Sequence, residues 1–330
     1  TRMYRVPLVT DLRHSNKLIY GKQRSKYDNG VVVRTLGSSK GRKPYECGGF
    51  VRKLGFRCFS TISVITANAR DRLKELKKVN SKNFKHVNDK LIHIVSSQEV
   101  LISAYESIKS NLGDITKGSD SKTLDNLSLD WFKKTSKTLL AGQFRFKPAR
   151  RIQTSKGMNE NKKRPLIISS LGDKVVQQAI YLVLDAIYEP TFLDNSHCFR
   201  PNRGNHTALR NIKQKFSGVK WCFQANIDSS FFNVSHEILL KLLRRRISCS
   251  KFLALVKNSM KAGYFKDDRS IKSNVGLFQE NLTSPILNNI YLHELDIFIK
   301  NLCDDFRKGK KCKKSRTYRR ILYLISKETD

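Results

Sequence analysis

The segment from Trp221 to Arg246 changes its hydrophobic period partway along, and this change constrains the fold more than any other feature of the chain. Residues 221–227 (WCFQANI) are apolar and aromatic enough for a buried strand. From Ser235, a residue type that commonly caps helices, the apolar residues of HEILLKLLRRR recur at helical spacing. The segment therefore predicts a strand, a turn that carries Phe231 and Phe232, and a helix. The predicted buried stripe of the helix is Leu239, Leu242, Leu243 and Ile247, and its predicted exposed charges are Arg244, Arg245 and Arg246.

This strand–turn–helix arrangement resembles the first palm motif of the group II intron-encoded reverse transcriptases and maturases. The resemblance implies a metal-binding aspartate on the strand, directly before an isoleucine, and the matching residue here is Asn226. An amide carries no negative charge, so Asn226 is a poor ligand for a divalent cation held against phosphates. Asp228 lies two residues further on, roughly 6–7 Å along a strand, which is too far to replace that ligand. We therefore predict no catalytic residue and no metal site, with Asn226 as the degenerate position.

Residues 275–302 resemble the second palm motif of the same family, which is a turn followed by a long helix. The family turn carries Pro-Gln-Gly, whereas this chain has Phe278-Gln279-Glu280, which places a side chain and a negative charge where backbone normally approaches the nucleotide. The helix Ile286–Leu302 is retained. The Tyr-Ala-Asp-Asp strand of the family, which supplies its other metal-binding aspartates, does not occur in the 330 residues. The resemblance thus predicts a palm scaffold that does not polymerise DNA by itself.

Residues 144–170 are rich in Lys and Arg, with Phe144 and Phe146 interleaved, and they predict two strands joined by the polar turn GMNEN. A basic hairpin can lay its cations along a phosphate backbone. The segment resembles the fingers hairpin of the family. By that resemblance, Lys163 and Arg164 match positions near the phosphates of the incoming nucleotide and the template.

A second likeness lies in residues 199–209, where Phe-Arg-Pro is followed by Arg-Gly and by His-Thr-Ala-Leu. This order of basic, small and apolar residues resembles a signature of the family. Arg200 and Arg203 are the predicted phosphate contacts, because a guanidinium group matches phosphate geometry. His197 and His206 are expected to pack and to form hydrogen bonds rather than to act as acid or base.

Lysine and arginine together number 64 against 28 acidic residues, so the formal net charge is +36. Such an excess predicts contact with a polyanion and binding that weakens as salt rises. The seven cysteines form no CxxC pair, which is typical of a reducing compartment and argues against a zinc site. No apolar run approaches the roughly 18 residues of a membrane-spanning helix, so a membrane is not a predicted partner. Because of the positive charge, structured RNA is the predicted partner.

The predicted fold is α+β and helix-rich, with reverse-transcriptase-like fingers, a partial palm and a basic N-terminal extension. Helices are predicted near residues 67–79, 84–96, 98–111, 128–141 and 171–188. The expected divisions are a basic extension (1–62), a helical N-terminal reverse transcriptase segment (63–143), fingers (144–220), a partial palm (221–305) and a basic insertion or tail (306–330). The extension is open to two interpretations, a disordered tail or an arm that orders on RNA.

The residues predicted to contact RNA share a positive charge and a place in these basic segments. They are Arg145, Lys147, Arg150, Arg151, Lys162, Lys163, Arg164, Arg200, Arg203, Arg244, Arg245, Arg246, Lys310, Lys311, Lys313, Lys314, Arg316, Arg319 and Arg320. The last seven lie in a segment that resembles the basic insertion of organellar family members, which implies a mitochondrial location.

Three functions are compatible with these features. The first is an RNA-binding protein derived from a maturase, which assists the folding and splicing of a group II intron. The second is a structural RNA-binding subunit of an organellar ribonucleoprotein such as the mitochondrial ribosome, with other subunits of that particle as its protein partners. The third is half of a split reverse transcriptase, which Asn226 disfavours because that defect lies within this half. No cofactor is expected, and Mg²⁺ is expected only through bound RNA.

Overall fold

Nine α-helices and a small sheet make up the part of the chain that the computed structural model describes, which comprises residues 57–109, 127–156, 159–216, 227, 230–266, 269–271, 274–278 and 281–308. None of the helices within these ranges is long and apolar enough to cross a membrane. The helices are α1 (Arg57–Lys82), α2 (Leu91–Val95), α3 (Gln98–Lys109), α4 (Leu129–Leu140), α5 (Leu171–Tyr188), α6 (Asn205–Lys215), α7 (His236–Arg244), α8 (Ser250–Met260) and α9 (Ser284–Arg307), with a short 3₁₀ turn at Glu189–Thr191.

The sheet has four strands in the order β2-β1-β3-β4. Strands β1 (Ala149–Lys156) and β2 (Asn159–Ile168) form an antiparallel pair, which confirms the predicted basic hairpin. Strand β3 (Tyr264–Lys266) runs parallel to β1, and β4 (Arg269–Ile271) completes the sheet. The second pair was not predicted, because three-residue strands leave too short a pattern to identify from sequence.

Helix α5 lies at the centre of the fold. Its N-cap Ser170 accepts a hydrogen bond from the backbone N–H of Asp173 at 3.3 Å, and the Asp173 carboxylate suits the positive end of the helix. Most of its circumference is buried, which is typical of a helix surrounded by other elements. Helices α1, α2, α3 and α9 all pack against it. The core therefore joins the predicted N-terminal, fingers and palm segments, although the exact divisions between them stay predictions.

One predicted helix is wrong in its first half. Residues 84–96 were expected to be helical throughout, but the helix begins only at Leu91. Upstream of it, the backbone N–H of Asn88 donates to the carbonyl oxygen of Arg246 at 2.7 Å, and the N–H of Ser248 donates to the carbonyl of Asn88 at 2.9 Å. These long-range bonds hold Asn88 in a parallel bridge with Ile247, so tertiary pairing overrides the local periodicity.

A buried polar cluster, which we call the asparagine–arginine node, joins the ends of three helices. The side-chain amides of Asn80 and Asn88 donate to each other's oxygens at 2.9 and 3.0 Å. Arg246 donates from Nη2 to Asn80 Oδ1 at 2.6 Å and from Nη1 to the carbonyl oxygen of Ile187 at 2.8 Å. Its guanidinium lies 5.5 Å from the ring centroid of Tyr188. Arg246 is only 8% exposed, which corrects its prediction as an RNA contact.

Replacement of Arg246 by methionine is expected to lower the free energy of unfolding by about 1–3 kcal/mol, because the Ile187 carbonyl and Asn80 Oδ1 lose a buried donor. The matched control is Arg244→Met, an exposed position in the same arginine triplet, which should change stability by no more than about 0.5 kcal/mol. Urea unfolding followed by circular dichroism measures both variants. Equal losses for the two would contradict the role of the node.

Candidate nucleic-acid interface

Residues 199–204 form the loop before α6, which we call the signature loop. Arg200, one of its two predicted phosphate contacts, is directed into the protein. Its Nε and Nη2 atoms bind the carboxylate of Glu189 at 2.9–3.2 Å. Its Nη1 donates to the carbonyl oxygens of Leu193 and Ser196 at 2.7 and 2.8 Å. The side chain is 8% exposed and lies over the ring of Phe192. Arg200 therefore fastens the loop, and its prediction as an RNA contact is corrected.

Arg203 stays at the surface, where it binds both the carbonyl oxygen and the carboxylate of Asp194. This partner is almost fully exposed, and the guanidinium lowers the pKa of the Asp194 carboxyl. Asp194 takes one donor from each of Nη1 and Nη2, so the remaining N–H groups of Arg203 are the ones a phosphate could bind without displacing it. His197 lies between Thr207 Oγ1 at 2.9 Å and Asn211 Nδ2 at 3.2 Å, in agreement with its expected hydrogen-bonding role.

The fingers hairpin presents its basic residues on an ordered ribbon. Arg145 and Arg150 are exposed, and the guanidinium of Arg151 lies 5.4 Å from the ring centroid of Tyr264 on the neighbouring strand. The Lys147 side chain is exposed, while its backbone N–H donates to Asp173 Oδ2 at 3.0 Å. Cations fixed on a paired ribbon can follow a phosphate backbone. Three further predicted contacts lie on β2, where the structure describes their backbone: Lys162, Lys163 and Arg164.

Three consecutive arginines at the end of α7 have three different environments. Arg244 is exposed, Arg245 donates from Nη1 to Glu294 Oε1 of α9 at 2.8 Å, and Arg246 is buried in the asparagine–arginine node. Sequence reasoning treated them as one charged group. The helical period places successive residues about 100° apart, so that consecutive arginines on α7 and its end cannot face the same way.

The turn that carries Phe231 and Phe232, which we call the palm turn, is held by residues 274–278. The sequence did not predict this contact. The backbone N–H groups of Gly276 and Leu277 donate to the carbonyl oxygens of Val234 and Phe231 at 2.8 and 2.6 Å. His236 Nε2, which must carry the proton here, lies 2.7 Å from the carbonyl oxygen of Gly276. We call this contact between residues 230–236 and 274–278 the palm clasp. The only sequence signal for it was a glycine inside the apolar run VGLF.

Aromatic rings mark the surface next to the palm clasp. Phe231 packs edge-to-face with Phe199 of the signature loop, with ring centroids 6.1 Å apart. Phe199 is 55% exposed and Phe232 is 49% exposed. Exposed rings beside basic loops offer stacking surfaces for unpaired bases. The structure thus brings the signature loop and the palm turn together.

The position of the missing carboxylate, Asn226, lies outside the described residues, as do Asp228, Gln279 and Glu280. The predicted contacts of the basic tail also lie outside them: Lys310, Lys311, Lys313, Lys314, Arg316, Arg319 and Arg320. Within the described ranges, no group of three or more His, Cys, Asp or Glu side chains is placed to hold a metal ion. The absence of a cofactor stays a prediction.

A family model described as "Reverse transcriptase (RNA-dependent DNA polymerase)" matches residues 147–315, about half of the chain. The chain is 39% identical over 276 residues to the "Uncharacterized 91 kDa protein in cob intron" of Schizosaccharomyces pombe, which covers 82% of this chain and 34% of that protein. It is 37% identical over 230 residues to the "Group II intron-encoded protein LtrA" of Lactococcus lactis subsp. cremoris, covering 70% and 38%.

A relative from a plant is named as an intron maturase. The "Nuclear intron maturase 4, mitochondrial" of Arabidopsis thaliana is 29% identical over 211 residues, covering 63% of this chain and 25% of that protein. The chain spans about a third of the length of the first two relatives. These matches confirm the resemblance that the palm, hairpin and loop motifs indicated.

Replacement of Gly276 by alanine is expected to open the palm clasp. Gly276 has φ +93°, and an added Cβ would lie 2.9 Å from the carbonyl oxygen of Phe232. The matched control is Gly142→Ala, which shares a positive φ (+74°) but meets nothing within 4 Å. We expect Gly276→Ala to lose about 1–3 kcal/mol of unfolding free energy more than the control. Urea unfolding of both variants measures the difference, and equal stabilities would contradict the clasp.

His236 makes the stability of the palm clasp depend on pH. Burial lowers the pKa of His236, and its bond to Gly276 offsets only part of that effect. The unfolded chain therefore takes up a proton near pH 6.5 that the folded protein resists, so stability is fully present above pH 6.5 and falls as the pH drops below it. Between about pH 7.5 and 5.5, the wild type should lose more unfolding free energy than His236→Gln. Parallel losses in denaturant titrations would show that His236 does not titrate with unfolding.

Proposed function

This chain belongs to the reverse transcriptase family, and we propose that it binds a group II intron RNA and stabilises the folded, splicing-competent form of that RNA without polymerising DNA. The observation that carries this proposal is that the residue matching the family's metal-binding aspartate by resemblance is Asn226, in a chain whose relatives are named as group II intron-encoded proteins and intron maturases. Assistance to RNA folding requires binding alone. Phosphoryl transfer requires metal ions held by carboxylates, which an amide cannot replace.

The distribution of charge supports RNA as the partner. Arg150 is exposed on β1 of the fingers hairpin, and Arg145 is exposed in the segment that leads into β1. Arg203, which is paired with Asp194, lies at the surface of the signature loop. Structured RNA is held mainly through its shape, its phosphates and its 2′-hydroxyls, which a wide basic surface with rigid elements can contact. The exposed rings of Phe199 and Phe232 add stacking surfaces for unpaired bases.

A mitochondrial location is part of the proposal. One relative is named as mitochondrial, and another is named after an intron in cob. A reducing compartment also suits the cysteines, because the described Cys198, Cys249 and Cys303 are free thiols. Splicing in this account takes place where the intron is transcribed.

The purified chain should bind a folded group II intron transcript at least tenfold more tightly than an RNA of equal length and scrambled sequence, which corresponds to about 1.4 kcal/mol. It should give no primer extension with Mg²⁺ and deoxynucleotides. Fluorescence anisotropy and a primer-extension gel measure the two properties. Equal affinity for both RNAs would contradict the proposal that the chain binds an intron. Template-dependent extension would contradict the proposal that it lacks polymerase activity.

Paired variants test the hairpin in the same assay. Arg145→Gln together with Arg150→Gln should reduce the slope of log affinity against log salt by about 1 for each lost phosphate contact. Lys133→Gln together with Lys134→Gln removes the same charge from exposed positions of α4. If both pairs change the slope equally, the hairpin has no special part in binding.

A further inference from the structure

A cleft between α7 and α8 has a shape and a charge that no motif explains. It is open to solvent and has a volume of about 410 Å³, which lies within the range of small-ligand clefts, about 300–1,000 Å³. Its apolar wall consists of Leu240, Ile247, Leu253 and Ala254. Two cations, Arg244 and Lys257, also line it, and none of its lining residues is acidic.

The two cations at the cleft differ from their neighbours on the same helices. Lys241 is paired with Glu237 at 2.8 Å, Arg245 is paired with Glu294 at 2.8 Å, and Lys251 Nζ donates to the Leu140 carbonyl oxygen at 3.0 Å. Arg244 and Lys257 are exposed, and neither has an ion-pair partner among the described residues. These two cations therefore give the cleft a positive charge that no acidic side chain among the described residues neutralises.

The walls of the cleft are fixed before any ligand arrives. The connector between α7 and α8 is held at Arg246 by the asparagine–arginine node and at Ser248 by two bonds to the Asn88 carbonyl oxygen, at 2.9 Å from N and 3.3 Å from Oγ. Ser248 and Ser250 line the cleft, and Ser250 is the first residue of α8, so the positive end of that helix dipole lies at the same wall. A preformed site loses less entropy on binding.

We propose that this cleft holds one unstacked nucleotide of the bound RNA, with its base against the apolar wall and its phosphate between Arg244 and Lys257. The inference rests on the proposed function, because it assumes that the chain binds RNA. An apolar wall suits the flat face of a base, and two unpaired cations suit a phosphate.

Charge favours a nucleotide over an acidic peptide as the occupant. Residues 236–261 contain seven Lys and Arg and a single acid, Glu237. Arg246 is buried and Lys241 and Arg245 are paired with carboxylates, so the positive charge beyond the cleft comes from Lys251 and Lys261. A polyanion can use that whole surface, whereas a short peptide would use only its centre. Unpaired nucleotides, which can leave the stack at little cost, are the parts of a structured RNA that fit such a cleft.

The test uses the full chain, a folded group II intron transcript and a 12-nucleotide oligouridylate, with affinity measured by fluorescence anisotropy over a series of salt concentrations. Arg244→Gln together with Lys257→Gln should weaken binding of both RNAs and reduce the salt slope for the oligouridylate by about 0.7 for each cation. Ala254→Phe, at an exposed position, fills the cleft without removing charge, so it should weaken binding and leave the slope unchanged.

Lys241→Gln together with Lys251→Gln is the matched control, because it removes two charges from α7 and α8 outside the cleft. In addition, 4-thiouridine placed in the oligouridylate should crosslink to residues 240–257, and Ala254→Phe should abolish that crosslink. Wild-type binding of both RNAs with no effect of either cleft variant would overturn the cleft and leave the proposed function standing. Equal binding of intron and scrambled transcripts would overturn the proposed function, while the oligouridylate variants still decide the cleft. Competition by an acidic peptide with no crosslink would show that the cleft takes protein instead.

Discussion

A guanidinium removed from water needs hydrogen-bond acceptors, and much of this structure depends on two buried arginines that find most of theirs at one end of α5. The Nε of Arg246 is buried without a hydrogen-bond partner among the described residues. Arg246 donates to the carbonyl oxygen of Ile187, in the last turn of α5, where helix carbonyls lack partners within the helix. Arg200 binds Glu189 and two carbonyl groups of the loop that follows. The N-terminal helices, the signature loop and the palm helices meet there. Loss of one partner from such a buried cluster would leave polar groups without compensation.

The positive side chains fall into two groups: those bound by groups of the protein itself, and exposed cations that a ligand can reach. Arg200 and Arg246 hold the fold, and Arg203 and Arg245 are paired at the surface. Exposed charges on the fingers hairpin and beside the cleft of α7 and α8 are available to a polyanion. A net charge of +36 repels itself in a free compact chain, so a bound polyanion would offset part of that repulsion. In the function proposed above, the palm scaffold serves to present charge with a fixed geometry.

Periodicity and capping predicted much of the fold. The helices near residues 98–111 and 128–141, the cap at Ser235, the basic hairpin and the stripe of α7 are all confirmed. Long-range contacts were not accessible in the same way. Asn88 leaves the helical pattern because it pairs with a residue 158 positions away, and the palm clasp joins two segments largely through backbone atoms, with the glycine of VGLF as its sequence signal. Arg200 and Arg246 were misassigned for a related reason, since an arginine's burial depends on acceptors supplied by distant segments.

The most direct test of the central claim is gradient sedimentation of a native extract, with this chain followed against ribosomal RNA and intron-containing transcripts. The account predicts migration with unspliced precursor RNA, which nuclease treatment should abolish. Migration with ribosomal particles that persists through moderate salt would contradict it and would make the chain a structural subunit of that particle instead.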